Sequence, residues 1–128
     1  MIGLATHRIT AVQPSTSAGD YGHSAYDYNN PAVSATFSGR AVLIDAAEWQ
    51  RLGFSGEAVY DIMLVVPAEE MPDGLASAGA AATWRITTII TEDGAPFMSG
   101  AIDIEEVTPI VGALGRVSEW RIMGKVVK

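Results

Sequence analysis

Side chains able to do chemistry are scarce in this chain, and their spacing gives them little to do together. There are two histidines, His7 and His23, and no cysteine. A thiolate metal site and a disulfide framework are both excluded. His23 lies between Asp20 and Asp27, so a hard-ion or mixed site is chemically conceivable there. Metal ligands converge from rigid elements at tight spacing, however, and this stretch is rich in turn residues, so no metal and no cofactor are expected. His23 and Ser24 are adjacent, but neighbours on an extended chain face opposite ways, which defeats a nucleophile–base pair. Glu69-Glu70 precedes Pro72 and reads as a solvated turn, while Glu105-Glu106 reads as an edge charge pair at a strand end. A glycosidase would need two carboxylates in one cleft. Gly112-Ala113-Leu114-Gly115 is turn-like and cradles no phosphate motif. His7, alternating with Arg8 on an early strand, is expected at the surface or an edge. The chain is not expected to be an enzyme.

The elements that would position these groups are short and β-rich. The 128 residues suit one domain with a modest core, since 19 of the apolar residues are alanines. The larger apolar side chains expected inside include Ile9, Phe37, Trp49, Ile62, Leu64, Trp84, Ile86, Ile89, Ile102, Ile104 and Ile122. Strands are expected over about 6–13, 33–45, 57–66, 84–91, 97–107 and 117–127, with alternating apolar and polar residues. A change of phase near Ser38-Gly39-Arg40 suggests a bulge or bend. Asp45 is placed to cap one short helix, 46–52, which Gly53 ends and whose Trp49 and Leu52 share a face. Glu92-Asp93-Gly94 is a hairpin-turn signal. The segment 75–82 reads as either a frayed helix or an extended arm. The expected fold is therefore mainly β: a small β-barrel or rolled antiparallel sheet of about six strands, one short helix and long loops.

Two segments stand out for interaction. Residues 14–32 read as a loop of 19 residues, longer than structureless connections usually are, and carry Asp20, Tyr21, Gly22, His23, Tyr26 and Tyr28. Tyrosine offers amphipathic contact area, so this loop is expected to meet a partner. Charge is uneven: residues 1–115 hold four basic and 14 acidic side chains, whereas 116–128 hold Arg116, Arg121, Lys125 and Lys128 against Glu119. The acidic body disfavours wrapping by nucleic acid. The basic terminal strand either discourages edge pairing or docks on an acidic neighbour, a second copy included. The first residues lack a basic, apolar signal segment, and no stretch approaches the roughly 20 apolar residues that span a bilayer, so no membrane association is expected.

The order of these elements resembles the head-closure, or head–tail joining, proteins of long-tailed bacteriophages. The resemblance is carried by His7-Arg8-Ile9-Thr10, the loop with Asp20-Tyr21-Gly22, Val33-Ser34-Ala35 leading to the short helix, and Trp84-Arg85-Ile86-Thr87 after Pro72-Asp73-Gly74. It covers roughly residues 6–107. The acidic, then alanine-rich connector at 68–82 and the long last segment depart from that pattern. The resemblance implies a small barrel that forms a homo-oligomeric ring in the virion neck, assembled in the host cytoplasm. Its partners would be a portal-side adaptor and a tail terminator or tail-tube protein, with packaged DNA passing through without sequence-specific binding. Residues 14–32 would then be the candidate channel loop, and Arg116, Arg121, Lys125 and Lys128 the candidate docking cations. Another small β-fold virion protein, such as a tail terminator, and a non-viral β-barrel binding module are the alternative readings.

Overall fold

A computed structural model describes residues 6–18, 24–44, 46–51, 53, 60–76, 84–98 and 100–127. The fold is mainly β. In chain order it comprises β1 (His7–Ala18), β2 (Ser24–Leu43), α1 (Ala46–Arg51), β3 (Ile62–Pro67), a 3₁₀ turn (Ala68–Glu70), α2 (Asp73–Ala76), β4 (Arg85–Ile90), β5 (Ile102–Val111) and β6 (Val117–Val126). The six strands are antiparallel to their neighbours and form a ring in the order β1-β2-β3-β6-β5-β4, with β4 returning to β1. The ring closes unevenly. β4 meets β5 through Arg85↔Asp103 and Ile86↔Ile102, whereas β5 and β6 pair along nearly their full length.

Alternation fills the interior. Ile9 and Ala11 of β1 point inward beside Phe37 and Ala41 of β2, and Ile62, Leu64 and Val66 of β3 do the same opposite Ile122 of β6. Each fully buried aliphatic side chain contributes about 1.5–3 kcal/mol. Gly39 continues the inward row of β2 without a register shift against β1. A Cβ there would lie 2.9 Å from the Val65 carbonyl oxygen, so the missing side chain lets β2 pass from β1 to β3. The expected phase change has another cause. The outward residues Ile44, Met63 and Met123 are covered by Trp49 of α1, which builds a second apolar cluster on the outside of the sheet. Gly53, at φ 92°, ends that helix by donating its N–H to the Gln50 carbonyl at 3.0 Å. Asp45 and Leu52 lie outside the described residues.

Long and short strands alternate in pairs around the ring. The β1–β2 and β5–β6 hairpins are long, and the single strands between them, β3 and β4, have six residues each. Because neighbours run antiparallel, both hairpins project at the same pole. The link from β3 to β4 crosses that pole, where Met71, Leu75 and Trp84 plug the barrel end. Trp84 buries its indole N–H with no acceptor among the described residues.

Several expectations need correction. Residues 15–18 and 24–32 belong to β1 and β2, so most of the expected 14–32 loop is a β-hairpin. Small polar residues argue against a strand only where it must fill a core, and a two-stranded arm has no core to fill; Pro14 and Pro31 face each other where the ladder is interrupted. Besides α1 there is a second, one-turn helix, α2, preceded by the 3₁₀ turn. β3 begins at Ile62, while 57–59 and 77–83 lie outside the described residues. In β4 the pairing shifts between Thr10↔Thr88 and Ala11↔Ile86, so Thr87 bulges and both Ile86 and Ile89 face inward, breaking strict alternation.

Candidate interaction surface

The β1–β2 hairpin leaves the barrel at a pair of prolines. β4 covers β1 from Arg8 to Val12, and beyond that β1 pairs with β2 alone. Pro14 faces Pro31, and the next pair is Ser15↔Asp27, so residues 28–30 are squeezed out as a bulge. Proline lacks the N–H a ladder needs, so the ladder breaks here, and the Asp27 carboxylate supplies acceptors for the N–H groups of the bulge. It accepts the N–H of Asn29 at 3.0 Å and of Asn30 at 3.3 Å, and the Asn30 side-chain amide at 2.9 Å. These bonds, the Asn30 side-chain bond foremost, hold the Asp27 carboxyl below its ordinary pKa.

The bulge sends Tyr28 back over the barrel wall. Its ring centroid lies 3.8 Å from the Arg85 guanidinium carbon, and Arg85 Nε donates to Asp103 Oδ1 at 2.8 Å. A cation–π contact at a partly exposed site contributes about 0.5–1 kcal/mol, and a surface ion pair about 0–1 kcal/mol. The hairpin base is thus fastened to β4 and β5. Four more residue pairs continue beyond it, from Ser15↔Asp27 to Ala18↔Ser24, a reach of roughly 13 Å at ~3.3 Å per residue. Of the six residues expected in the channel loop, Tyr28 belongs to this tether and Tyr26 pairs through its backbone with Thr16. Asp20, Tyr21, Gly22 and His23 lie outside the described residues.

The four basic residues of the last segment do not form one patch. Arg121 lies 3.7 Å from Glu106 Oε1, and Glu106 also accepts the Tyr60 hydroxyl at 3.0 Å and the Thr108 hydroxyl at 2.9 Å. Burial, then the bond to Glu106, pushes the Tyr60 pKa up. The pairing shift between Ile104 and Glu106 separates the adjacent carboxylates, leaving Glu105 exposed while Glu106 gathers these donors. Lys125 stands opposite Asp103 near the other pole, and Lys128 is outside the described residues. Arg116 sits in the β5–β6 turn at the projecting pole. There the Gly112 N–H donates to the Arg116 carbonyl at 2.8 Å, the Gly115 N–H to the Gly112 carbonyl at 3.1 Å, and the Ser118 hydroxyl to the Ile110 carbonyl at 3.2 Å. Gly115 adopts φ 75°, which the turn requires. This braced tip exposes Val111, Leu114 and Val117, a cluster that the turn-forming glycines conceal in the sequence.

His7 is not a surface residue: its exposure is 6%, and it is the one buried polar side chain among the described residues. β1 starts here, so the imidazole extends the ladder by accepting the Ala41 N–H on Nδ1 at 3.2 Å. Its ring meets Phe97 edge-on, with centroids 4.6 Å apart. Burial pushes its pKa below the ordinary value, with Glu92 opposing. The accepting Nδ1 fixes the neutral tautomer with hydrogen on Nε2, a structural duty. The signal was the period-two row His7, Ile9, Ala11, all on the face that turns inward.

Among the described residues no three His, Asp or Glu side chains gather as a metal site, and no helix is long and apolar enough to cross a membrane. The described surface carries a tethered arm, an exposed apolar tip and polar faces between them. No protein-family model, curated protein or solved structure matches this chain.

Proposed function

We propose that this chain is a structural subunit of a long-tailed phage neck, forming a ring that closes the DNA-filled head and receives the tail. The observation that carries the reading is the two-hairpin pole: a plugged barrel from which one tethered β-arm and one braced tip project. Such a body acts through its contacts. The sequence resemblance supplies the setting, with a portal-side adaptor on one side and a tail terminator or tail-tube protein on the other. The net charge of −7 suits passage of DNA, because an acidic channel wall repels phosphate and lets the duplex slide. The arm continues past its Tyr28–Arg85 tether and is the segment with the reach to enter such a channel.

The test uses the full chain and an arm-deleted variant in which residues 16–26 are replaced by a short glycine-containing turn. The β1–β4 ladder ends at Val12, so the deletion leaves the barrel pairing intact. The full chain should form ring-sized complexes with the portal-side adaptor and complete filled heads. The variant should fold and dock but release DNA. Filled, tailed particles from the variant would remove the channel role of the arm. A chain that binds neither adaptor nor completed heads would overturn the neck reading itself.

A further inference from the structure

The β5–β6 tip is built unlike a solvent turn. Turns usually carry polar residues at their apex, yet here the apex is Leu114, 88% exposed, flanked by Val111 at 60% and Val117 at 37%. Scattered exposed apolar residues are ordinary, but three gathered on one hydrogen-bonded tip mark a contact surface. Strands in a barrel lean some 35–45° from its axis, so a hairpin running past the rim overhangs the wall sideways. The tip carries Arg116, which reaches no carboxylate among the described residues.

We propose that this tip docks on a second copy of the chain, seating Leu114 against the neighbour's exposed Val33 and directing Arg116 to its Glu69 and Glu70. The choice of occupant follows from charge. Residues 52–84 contain five carboxylates and no Lys or Arg, whereas 116–128 contain four cations and one carboxylate. Glu69 and Glu70 are exposed on the 3₁₀ turn, at the same pole as the tip. Glu70 Oε1 accepts the Ser38 N–H at 3.2 Å, which joins this acidic rim to β2. Further along β2, Val33 is 45% exposed and supplies the apolar counterpart. Donor and acceptor surfaces are different patches, so the contact is heterologous and can repeat from copy to copy until a ring closes. The inference rests on the neck reading for its setting and names the chemistry by which the ring would hold.

Sedimentation velocity over a concentration series of the full chain tests it, with far-UV circular dichroism confirming that each variant is folded. Wild type should self-associate. Leu114→Asp, Arg116→Glu and Glu69→Lys should each weaken association by about tenfold or more, equivalent to at least ~1.4 kcal/mol. Arg116→Glu combined with Glu69→Lys in one chain should restore it, because every interface then pairs the swapped charges. A wild type that stays monomeric at every concentration, single variants that assemble like wild type, or a double variant no better than its parents would each overturn the self-docking contact. Binding of the portal-side adaptor, measured separately on the same samples, reports on the neck reading and can succeed while self-docking fails.

Discussion

The substitution His7→Phe separates a hydrogen bond from a ring contact. The phenyl ring would keep an aromatic edge against Phe97 but could not accept the Ala41 N–H, now satisfied by Nδ1 at 3.2 Å. Ala41 is 6% exposed, so water cannot readily replace the lost acceptor. A buried donor left without a partner costs about 1–3 kcal/mol. His7→Asn is the complement: the amide oxygen stands as many bonds from Cα as Nδ1 and can accept, while the ring pair, worth about 0.5–1.5 kcal/mol, is lost. The pH dependence adds a second, independent readout. The folded pKa of His7 is lowered from 6.5, so between the folded value and 6.5 the unfolded chain binds more protons and stability rises with pH. The contribution is fully present above 6.5 and is lost as pH falls through the folded value. Urea unfolding of wild type and His7→Phe, from neutral to mildly acidic pH, should show a gap that is largest at the neutral end and shrinks on acidification. His23 is common to both chains and cancels. A gap below about 0.5 kcal/mol at neutral pH, the scale of an ordinary surface substitution, or one that does not change with pH, would refute the assignment.

Four further substitutions probe the packing and one side-chain hydrogen bond. Gly39→Ala places a Cβ 2.9 Å from the Val65 carbonyl oxygen and should cost about 1–3 kcal/mol in urea unfolding; Gly124→Ala, whose Cβ would meet Ile102 Cγ2 at 2.5 Å, should cost at least as much. Tyr60→Phe should cost about 0.5–1.5 kcal/mol by removing the bond to Glu106, and the phenolate absorbance it removes from the wild-type titration should rise above pH 10.0. Because that folded pKa is raised, the Tyr60 contribution is present below 10.0 and lost as pH climbs through the folded value. Trp84→Ala empties the barrel plug and should cost about 3–5 kcal/mol, seen as a lower urea midpoint.

Much of the barrel is legible in the sequence because its strands alternate against a filled interior. Ile62, Leu64 and Val66 announce β3, and Trp49 on a short helix announces an apolar contact with the sheet, which it makes on the outer face. Features that do not depend on filling a core are harder to read. The arm beyond Pro14 is held by main-chain pairing and by an Asp27 carboxylate that accepts the N–H groups of the bulge, and its polar side chains look like loop. Tyr28 was legible as a contact residue, but its partner Arg85 is 57 positions away and only the bulge brings them together. Glu105 and Glu106 look equivalent until a pairing shift gives Glu106 three donors and Glu105 none of these. The exposed Leu114 was hidden by its glycines, which mark the turn without saying what its apex presents.

The antiparallel ring also decides how the molecule can be handled. β1 starts and β6 finishes at the pole opposite the two hairpins. A tag, fluorophore or fusion partner attached through either flank would therefore stand away from the arm and the tip. Immobilised through the start of β1 or the finish of β6, the protein would present its hairpins outward like the jaws of an upturned clamp, and a partner arriving from solution would meet that face first.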